Sequence, residues 1–479
     1  MTFQISSAVG KVPPGGNPLV SHKYGADPYA LVFEGRVYLY MTADKPEYDE
    51  EGNIKENTYS KINKITVISS EDLVNWTDHG EIAAAGPEGA AVWATQSWAP
   101  AAVHKVMDGQ DKFFLYFANN ASGIGVLTSD SPVGPWVDPI GQALILRSTP
   151  GVEDVTWLFD PAVLVDDDGK GYIYFGGGVP EDRYAEPGTA RVMQLGDDMV
   201  SVIGTAEAIP APFMFEDSGI HKLGGTYYYT YCSNFYSGER PEGSPPAGEI
   251  AYMTSSGPMG PWTYQGTILK NPGHFFGVSG NNHHAIFQFQ EEWYIAYHAQ
   301  TLSKAEGIAN GYRSTHLNKV TMREDGLIEP IHADYEGVRP IKALDPYRAV
   351  LPATMSWSAG VKTEAGDKAG ESVIVEIGNG DWIACSNVDF GSEGPGFFSA
   401  AVAGLKEGGS IELRLDDPAG TWIGELAVSG SGEAETWEER TTEVASAAGV
   451  HHLYLVFRGN ADGPLFKLGS WKFGRRNEA

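Results

Sequence analysis

Cysteine is nearly absent: Cys232 and Cys385 are the only two in 479 residues. Two thiols so far apart exclude a disulfide framework and a cysteine metal cluster. Long apolar runs are missing as well. No stretch reaches the ~18 residues a spanning helix needs, and the leading MTFQISSAVGKVPPGG lacks the apolar core of a signal peptide. This points to a cytoplasmic protein or to a chain whose leader has been removed. Positive charge is scarce, with 33 Lys and Arg against 62 Asp and Glu and a formal net charge of −29. Such a surface repels phosphate backbones and anionic lipid, so neither nucleic acid nor membrane is an expected partner, whereas a neutral polymer is. No spaced His/Cys set suits zinc. The GGG at 176–178 lacks the Lys-Ser/Thr of a phosphate loop, and no nucleophile elbow announces a serine triad. Asp166–Asp168 with Gly169 has the wrong spacing for an EF-hand and reads as a hairpin turn.

What the chain does have is turns and aromatics. Gly and Pro number 59 and 29, and aromatics make up 11%. That mixture suggests an all-β protein. A composite unit recurs: a polar or aromatic anchor, a short apolar strand, a tight turn and an aromatic strand. The copies are ADPYALVFEGRVYLYMTA (26–43), SWAPAAVHKVMDGQDKFFLYFA (97–118), FDPAVLVDDDGKGYIYFGG (159–177), FEDSGIHKLGGTYYYTYC (215–232) and NNHHAIFQFQEEWYIAYHA (281–299). The anchors Asp27, Trp98, Asp160, Glu216 and His283 are successively 71, 62, 56 and 67 residues apart. Each unit reads as a hairpin, with EG, DDG or GG at the turn. A second signature follows three of them: ISSEDLVNW, TSDSPVGPW and TSSGPMGPW, read as strand, turn and outer-strand Trp. Five such hairpins predict a five-bladed β-propeller, whose inner strands begin near one axis. The five anchors should therefore meet in one pocket.

The repeat stops after GYRSTHLNKV, and a connector (341–357) leads into strands separated by Gly-rich turns. The expected domains are a propeller over 1–345 and a β-sandwich of jelly-roll type over 346–479. Two charged or polar loops, 44–64 and 236–249, interrupt the propeller and read as rim loops or tolerated insertions.

Three anchors are acids. A buried carboxylate is costly unless paired or used, and clustered carboxylates repel and drive their pKa values apart. Such a cluster suits glycoside hydrolysis, where one carboxylic acid protonates the leaving oxygen and a carboxylate activates water or attacks carbon. Asp27 and Glu216, from blades 1 and 4, should face each other, which favours the wider separation of roughly 6.5–9.5 Å and inversion. GADPYA, SWAPAA, LFDPAVLVDD, FMFEDSGIHK, GNNHHAIF and GYRSTHLN, in this order over about 17–340, resemble glycoside hydrolase family 43. The resemblance implies Asp27 as general base, Asp160 as the acid that orients and tunes its partner, and Glu216 as general acid. It also implies Arg313 near the sugar and Trp98 as an aromatic wall. YSKINKITVISSEDLVNWTDHGEI and PFMFEDSGIHK look like the branch that removes α-L-arabinofuranosyl side chains from arabinoxylan. A β-xylosidase acting on xylo-oligosaccharides is the second reading, and a non-catalytic sugar-binding propeller is the third. The chemistry needs no cofactor.

His283 and His284 are adjacent, so in a strand only one can face the axis. With His283 inward, Asn281 shares its face; with His284 inward, Asn282 does. In many members of the family a histidine here helps hold a structural calcium or approaches the sugar. His283 is thus a candidate ligand for either, and His298 reads as structural. MSWSAGVKTE, IGNGDWIACSNVDFGS, GGSIELRLDDPAGTWIG and GVHHLYLVFRG resemble a family 6 carbohydrate-binding module. The departures are Ala353 where that family has a calcium-binding Glu, Lys467, Leu468 and Gly469 in place of an Asn-Phe-Asp, and Ala434 where a Trp would pair with Trp437. The expectation is a module that packs rather than grips xylan, with Trp382 and Trp437 as the residues to watch. A polymeric substrate tips the expected location to the exterior.

Overall fold

In a computed structural model, the structure describes residues 4–405, 407–430, 436–460 and 463–476. Ala434 lies outside them. The described residues are overwhelmingly β, and no helix among them is long and apolar enough to cross a membrane. The chain forms two compact units. One gathers Met1–Lys23, Ile68–Gly80 and Val338–Ala479, the other Tyr24–Val67 and Glu81–Gly337.

The second unit is built from antiparallel hairpins. Ala26–Phe33 pairs with Arg36–Thr42, Trp98–Met107 with Gln110–Ala118, Ala162–Val165 with Gly171–Phe175, Met214–Leu223 with Thr226–Ser233, and His284–Phe289 with Glu292–Ala299. Two of the turns, Glu34-Gly35 and Asp108-Gly109, put both residues at positive φ, the geometry that follows the strands' own twist. The opening strands neighbour one another in sequence order, and His284–Phe289 also neighbours Ala26–Phe33.

The Trp signature acts as a latch between consecutive sheets. The Tyr40 hydroxyl donates to the Pro132 carbonyl at 2.5 Å, and Trp136 meets the Tyr40 ring edge-on. One repeat pair later, Tyr174 donates to Pro258 at 2.8 Å and meets Trp262 edge-on. Trp136 and Trp262 stand outside the strands, so the outer-strand reading holds only for Trp76, which opens Trp76–Ala83. The Gly-Pro before each of the other two Trp residues delays the strand, because proline brings no N–H to a ladder.

One backbone device recurs where the opening strands begin. Asp27, Ala99, Asp160 and Asp217 all have positive φ, at 49°, 42°, 48° and 70°. In three of these strands the register breaks beside that residue, between Ala26/Tyr29, Trp98/Ala101 and Glu216/Gly219. Pro follows in three cases, as Pro28, Pro100 and Pro161. A bulge re-aims the side chains around it, and Asp tolerates the left-handed region better than most residues.

The other unit holds two five-stranded sheets. One runs Trp357–Ala359, Trp382–Asp389, Val450–Arg458, Gly408–Leu415, Thr421–Ser429; the other runs Lys362–Ala365, Ser372–Val375, Phe466–Gly474, Phe397–Gly404, Glu438–Glu443. Phe398, Val402, Ile411, Leu413, Leu455, Phe457, Leu468 and Phe473 form the shared core. Ala353 and Leu468 are buried, while Trp437 is half-buried beside Gly469. On the outer face of the first sheet, Trp357 and Trp382 pack with Tyr454 and Val456 beneath Ile5 and Ala8. Their indole N–H groups donate to the Gly15 and Ser6 carbonyls, each at 2.8 Å.

Candidate active site

A pocket of about 400 Å³ in the hairpin unit collects every candidate residue: Asp27, Trp98, Asp160, Glu216, Asn281, His283 and Arg313. Trp157, Phe159 and Phe215 add an aromatic side. Loop 44–64 supplies Glu56, Asn57 and Tyr59, so it is part of the wall.

The recurring kink places the acids, and it revises their alignment. Ala26, Trp98 and Glu216 each pair with the neighbouring strand just before the kink. Asp27, Ala99, Asp160 and Asp217 are the kinked residues themselves. Asp217, rather than Glu216, is therefore the positional match of Asp27 and Asp160. One-dimensional spacing misses this because FED has two acids in a row.

Asp27 is the best-supported carboxylate. Arg313 donates to its Oδ1 at 2.9 Å and Thr42 to its Oδ2 at 2.7 Å. Burial alone would raise its pKa, but the charge of Arg313 holds it well below the usual carboxylate range. Arg313 is itself clamped: Nε and Nη2 reach the two oxygens of Asp44 at 2.9 and 2.8 Å, and its own N–H donates to the same carboxylate. The Tyr59 ring lies 4.9 Å from the guanidinium. The Asp27 N–H donates to His298 Nδ1 at 3.0 Å. His298 thus carries its proton on Nε2, 3.1 Å from the Asn281 carbonyl, and ties the two pocket edges together. Thr42 and His298 close the hairpins of the first and fifth copies and Asp44 follows the first; nothing in the sequence marks Thr42 or Asp44 as pocket residues, and His298 reads there as structural only.

Glu216 and Asp160 behave oppositely. Burial comes first for both; Asp160 and Asp27 then push Glu216 well up, and Asp27 does the same to Asp160. Asp160 Oδ2 accepts the Asp217 N–H at 2.8 Å, while Glu216 Oε1 is buried without a partner. Asp27 is held ionised, while Asp160 and Glu216 both bind a proton more tightly than a free carboxylate, the opposition that acid–base chemistry requires.

His283 precedes its strand, which begins at His284, so the one-in, one-out rule does not apply. Both rings turn to Asp217: His283 Nε2 lies 3.2 Å from Oδ1, and His284 Nδ1 lies 2.5 Å from Oδ2. On its other side, His283 Nδ1 is 3.5 Å from Asp27 and 3.7 Å from Asp160. Burial lowers both histidines to about 3, so they are neutral near neutral pH. These residues do not fit a calcium held by His283. Both of its ring nitrogens face carboxylates that are already engaged, and no group of three or more His, Cys, Asp or Glu among the described residues is arranged to hold a metal. Calcium seeks about 6–8 oxygen ligands.

Residues 16–328 match glycosyl hydrolases family 43, and residues 353–475 match carbohydrate binding module family 6. An arabinoxylan arabinofuranohydrolase of Paenibacillus polymyxa is 53% identical over 97% of this chain and 75% of its own. The crystal structure of a family 43 arabinoxylan arabinofuranohydrolase from Bacillus subtilis, in complex with cellotetraose, superposes with a TM-score of 0.96 at 52% identity, covering 98% of this chain and 99% of that one. A xylosidase/arabinosidase of Bacteroides ovatus is 30% identical over 58% of this chain and 87% of its own.

Proposed function

The chain belongs to glycosyl hydrolases family 43, and from that premise we propose that it is an inverting glycoside hydrolase that removes α-L-arabinofuranosyl side chains from arabinoxylan or its oligosaccharides. The observation that carries this is the opposite treatment of acids in one pocket. Asp27 is kept charged by Arg313, and Glu216 is kept protonated by burial and Asp160. Similarity over nearly the whole of this chain to two proteins named arabinoxylan arabinofuranohydrolase supports the arabinosyl choice over xylosyl.

In this reading Glu216 gives its proton to the oxygen leaving with the xylan chain as the bond from that oxygen to the anomeric carbon breaks. Asp27 takes a proton from a water whose oxygen bonds the same carbon from the opposite face. Asp160 keeps the proton in place on Glu216. Trp98, Asn281 and His283 line the pocket where the sugar would sit, and no step runs through a metal or cofactor. The recurrent hairpins, their latches and the neighbouring order of the opening strands support five blades closing as a propeller. A polymer substrate sets the work outside the cell.

The test is Glu216→Gln against an aryl α-L-arabinofuranoside, an aryl β-D-xyloside and arabinoxylan. The wild type should prefer the arabinosides and release the inverted anomer by NMR, and the variant should lose turnover of arabinoxylan. Untouched turnover sinks the mechanism, and a preference for the xyloside favours the xylosidase reading. Sugar binding without turnover by the wild type would favour a lectin.

A further inference from the structure

Loop 44–64 brings to the pocket a tyrosine that has no part in the reaction proposed above, on which this inference rests. Tyr59 lines the pocket at a φ of 60°, in the left-handed region. A bulky residue keeps that backbone only where its surroundings impose it. Here they do. The Asn57 side chain accepts the Tyr59 N–H at 2.9 Å and donates to the Gly311 carbonyl at 3.1 Å. The Trp98 indole donates to the Tyr59 carbonyl at 3.0 Å. The ring is fixed as well, 4.9 Å from the Arg313 guanidinium, which Asp27 and Asp44 hold in place. The phenol hydroxyl alone is uncommitted, with no hydrogen-bond partner among the described residues. It lies beside Gly311, where a Cβ would come within 3.2 Å of it. Burial, against the pull of Arg313, raises its pKa, and Asp44, Asp27 and Glu216 add to the rise. It is therefore a neutral O–H near neutral pH.

We propose that Tyr59 is a sugar-binding, specificity-determining residue: its hydroxyl pairs with a hydroxyl of the terminal arabinosyl unit, from a wall already built when the sugar arrives. Arg313, which carries the ring, reaches Asp27 at 2.9 Å, so the phenol stands beside the base. With main chain and ring both fixed, little freedom is lost on binding. A tyrosine hydroxyl can donate or accept, so it suits a sugar hydroxyl in either sense. A site that pairs a substrate hydroxyl rejects an analogue lacking it, because its own polar group is then left unpaired. Furanosyl and pyranosyl pentoses carry their hydroxyls in different directions, and a fixed partner cannot follow both.

Tyr59→Phe keeps the ring over Arg313 and removes only the hydroxyl. On an aryl α-L-arabinofuranoside it should lower kcat/KM about five-fold, the worth of one neutral hydrogen bond. The Tm and the acid limb of the pH profile should stay where they are, because the support of Arg313 is intact. Mono-deoxy versions of the same arabinoside locate the partner: for one of them the substitution should cost nothing further. Unchanged kcat/KM overturns the contact. A shifted acid limb or a lowered Tm shows instead that Tyr59 acts through Arg313 or the fold, and a full loss with every deoxy analogue also overturns the pairing. Binding is read apart from turnover in a Glu216→Gln background. There Tyr59→Phe should raise the calorimetric Kd for an arabinoxylan oligosaccharide about five-fold, and an equal Kd overturns the inference. Wild-type cleavage is measured in the same series. Its absence refutes the function proposed above, whereas a raised Kd would still uphold the sugar contact.

Discussion

Two sets of tryptophans meet opposite fates in this chain. Trp98 and Trp157 are half-buried in the wall of the acid pocket. Trp357 and Trp382, on one face of the sandwich, are buried under Ile5 and Ala8, and their N–H groups are taken by main-chain carbonyls. An indole platform binds a sugar ring only when its face is open. The difference shows that aromatic content does not mark a sugar site. The sandwich resembles a carbohydrate-binding module, but its large aromatic surface is filled by the chain's own leading segment. Trp422, half-exposed on Thr421–Ser429, is an aromatic that face leaves open.

Experiments can break this contrast. The largest effect is expected in the pocket: Glu216→Gln should cost about 10²–10⁴ in kcat on arabinoxylan. The same variant should melt higher at pH 7. Burial raises the folded pKa of Glu216, so the folded protein loses stability as pH climbs past the unfolded value of about 4.3. A neutral amide escapes that loss, and a lower Tm would contradict the assignment. Next, Trp382→Ala should cost about 3–5 kcal/mol of stability by denaturant titration while leaving kcat/KM on an aryl arabinoside unchanged. A change in activity at matched folded fraction would break the contrast. Third, Arg313→Lys keeps a charge but loses the fork that spans Asp27 and Asp44. The Asp27 pKa should rise, the acid limb of the kcat/KM profile should move to higher pH, and activity should drop about ten-fold. As pH falls below the unfolded Asp value of about 3.9, the fold should also lose less of the stability that an ionised Asp27 contributes. An unmoved limb would remove Asp27 as the base. The smallest effect belongs to Trp422→Ala, expected within about 0.5 kcal/mol in stability and without effect on migration in xylan-containing gels. Retarded migration that this change abolishes would show that the sandwich grips sugar after all.

The pocket was legible because its parts repeat. Asp27, Trp98 and Asp160 stand at strand starts that recur in sequence, and Arg313 follows in a recognisable motif. What stayed hidden was register. Period-two reasoning assigned His283 and His284 to opposite faces, but His283 lies ahead of its strand and both rings reach Asp217. The FED triplet offered two acids, and only the backbone shows that the second shares the kink of Asp27 and Asp160. Asp44 begins a charged loop and looks like any other surface acid until Arg313, 269 residues further on, folds onto it. Such partners are set by tertiary closure, which leaves no mark on local composition. In the sandwich, the departures at Ala353 and Leu468 pointed to depleted calcium and sugar ligands, and both residues are buried. The leading segment over Trp382 had no counterpart in any strand pattern.

The left-handed kink carries a consequence for how such a pocket changes over time. Direction is supplied by the main chain, four times over, and chemistry by whichever side chain happens to stand there. At Ala99 the same bend carries a methyl group. New functional groups can therefore be tried at an already aimed position without inventing a new geometry, and an activity can be lost by one codon while the scaffold survives. A lineage built this way should scatter acids, amides and small residues among equivalent bends, so that inactive sugar binders and hydrolases with rearranged roles lie a few substitutions apart.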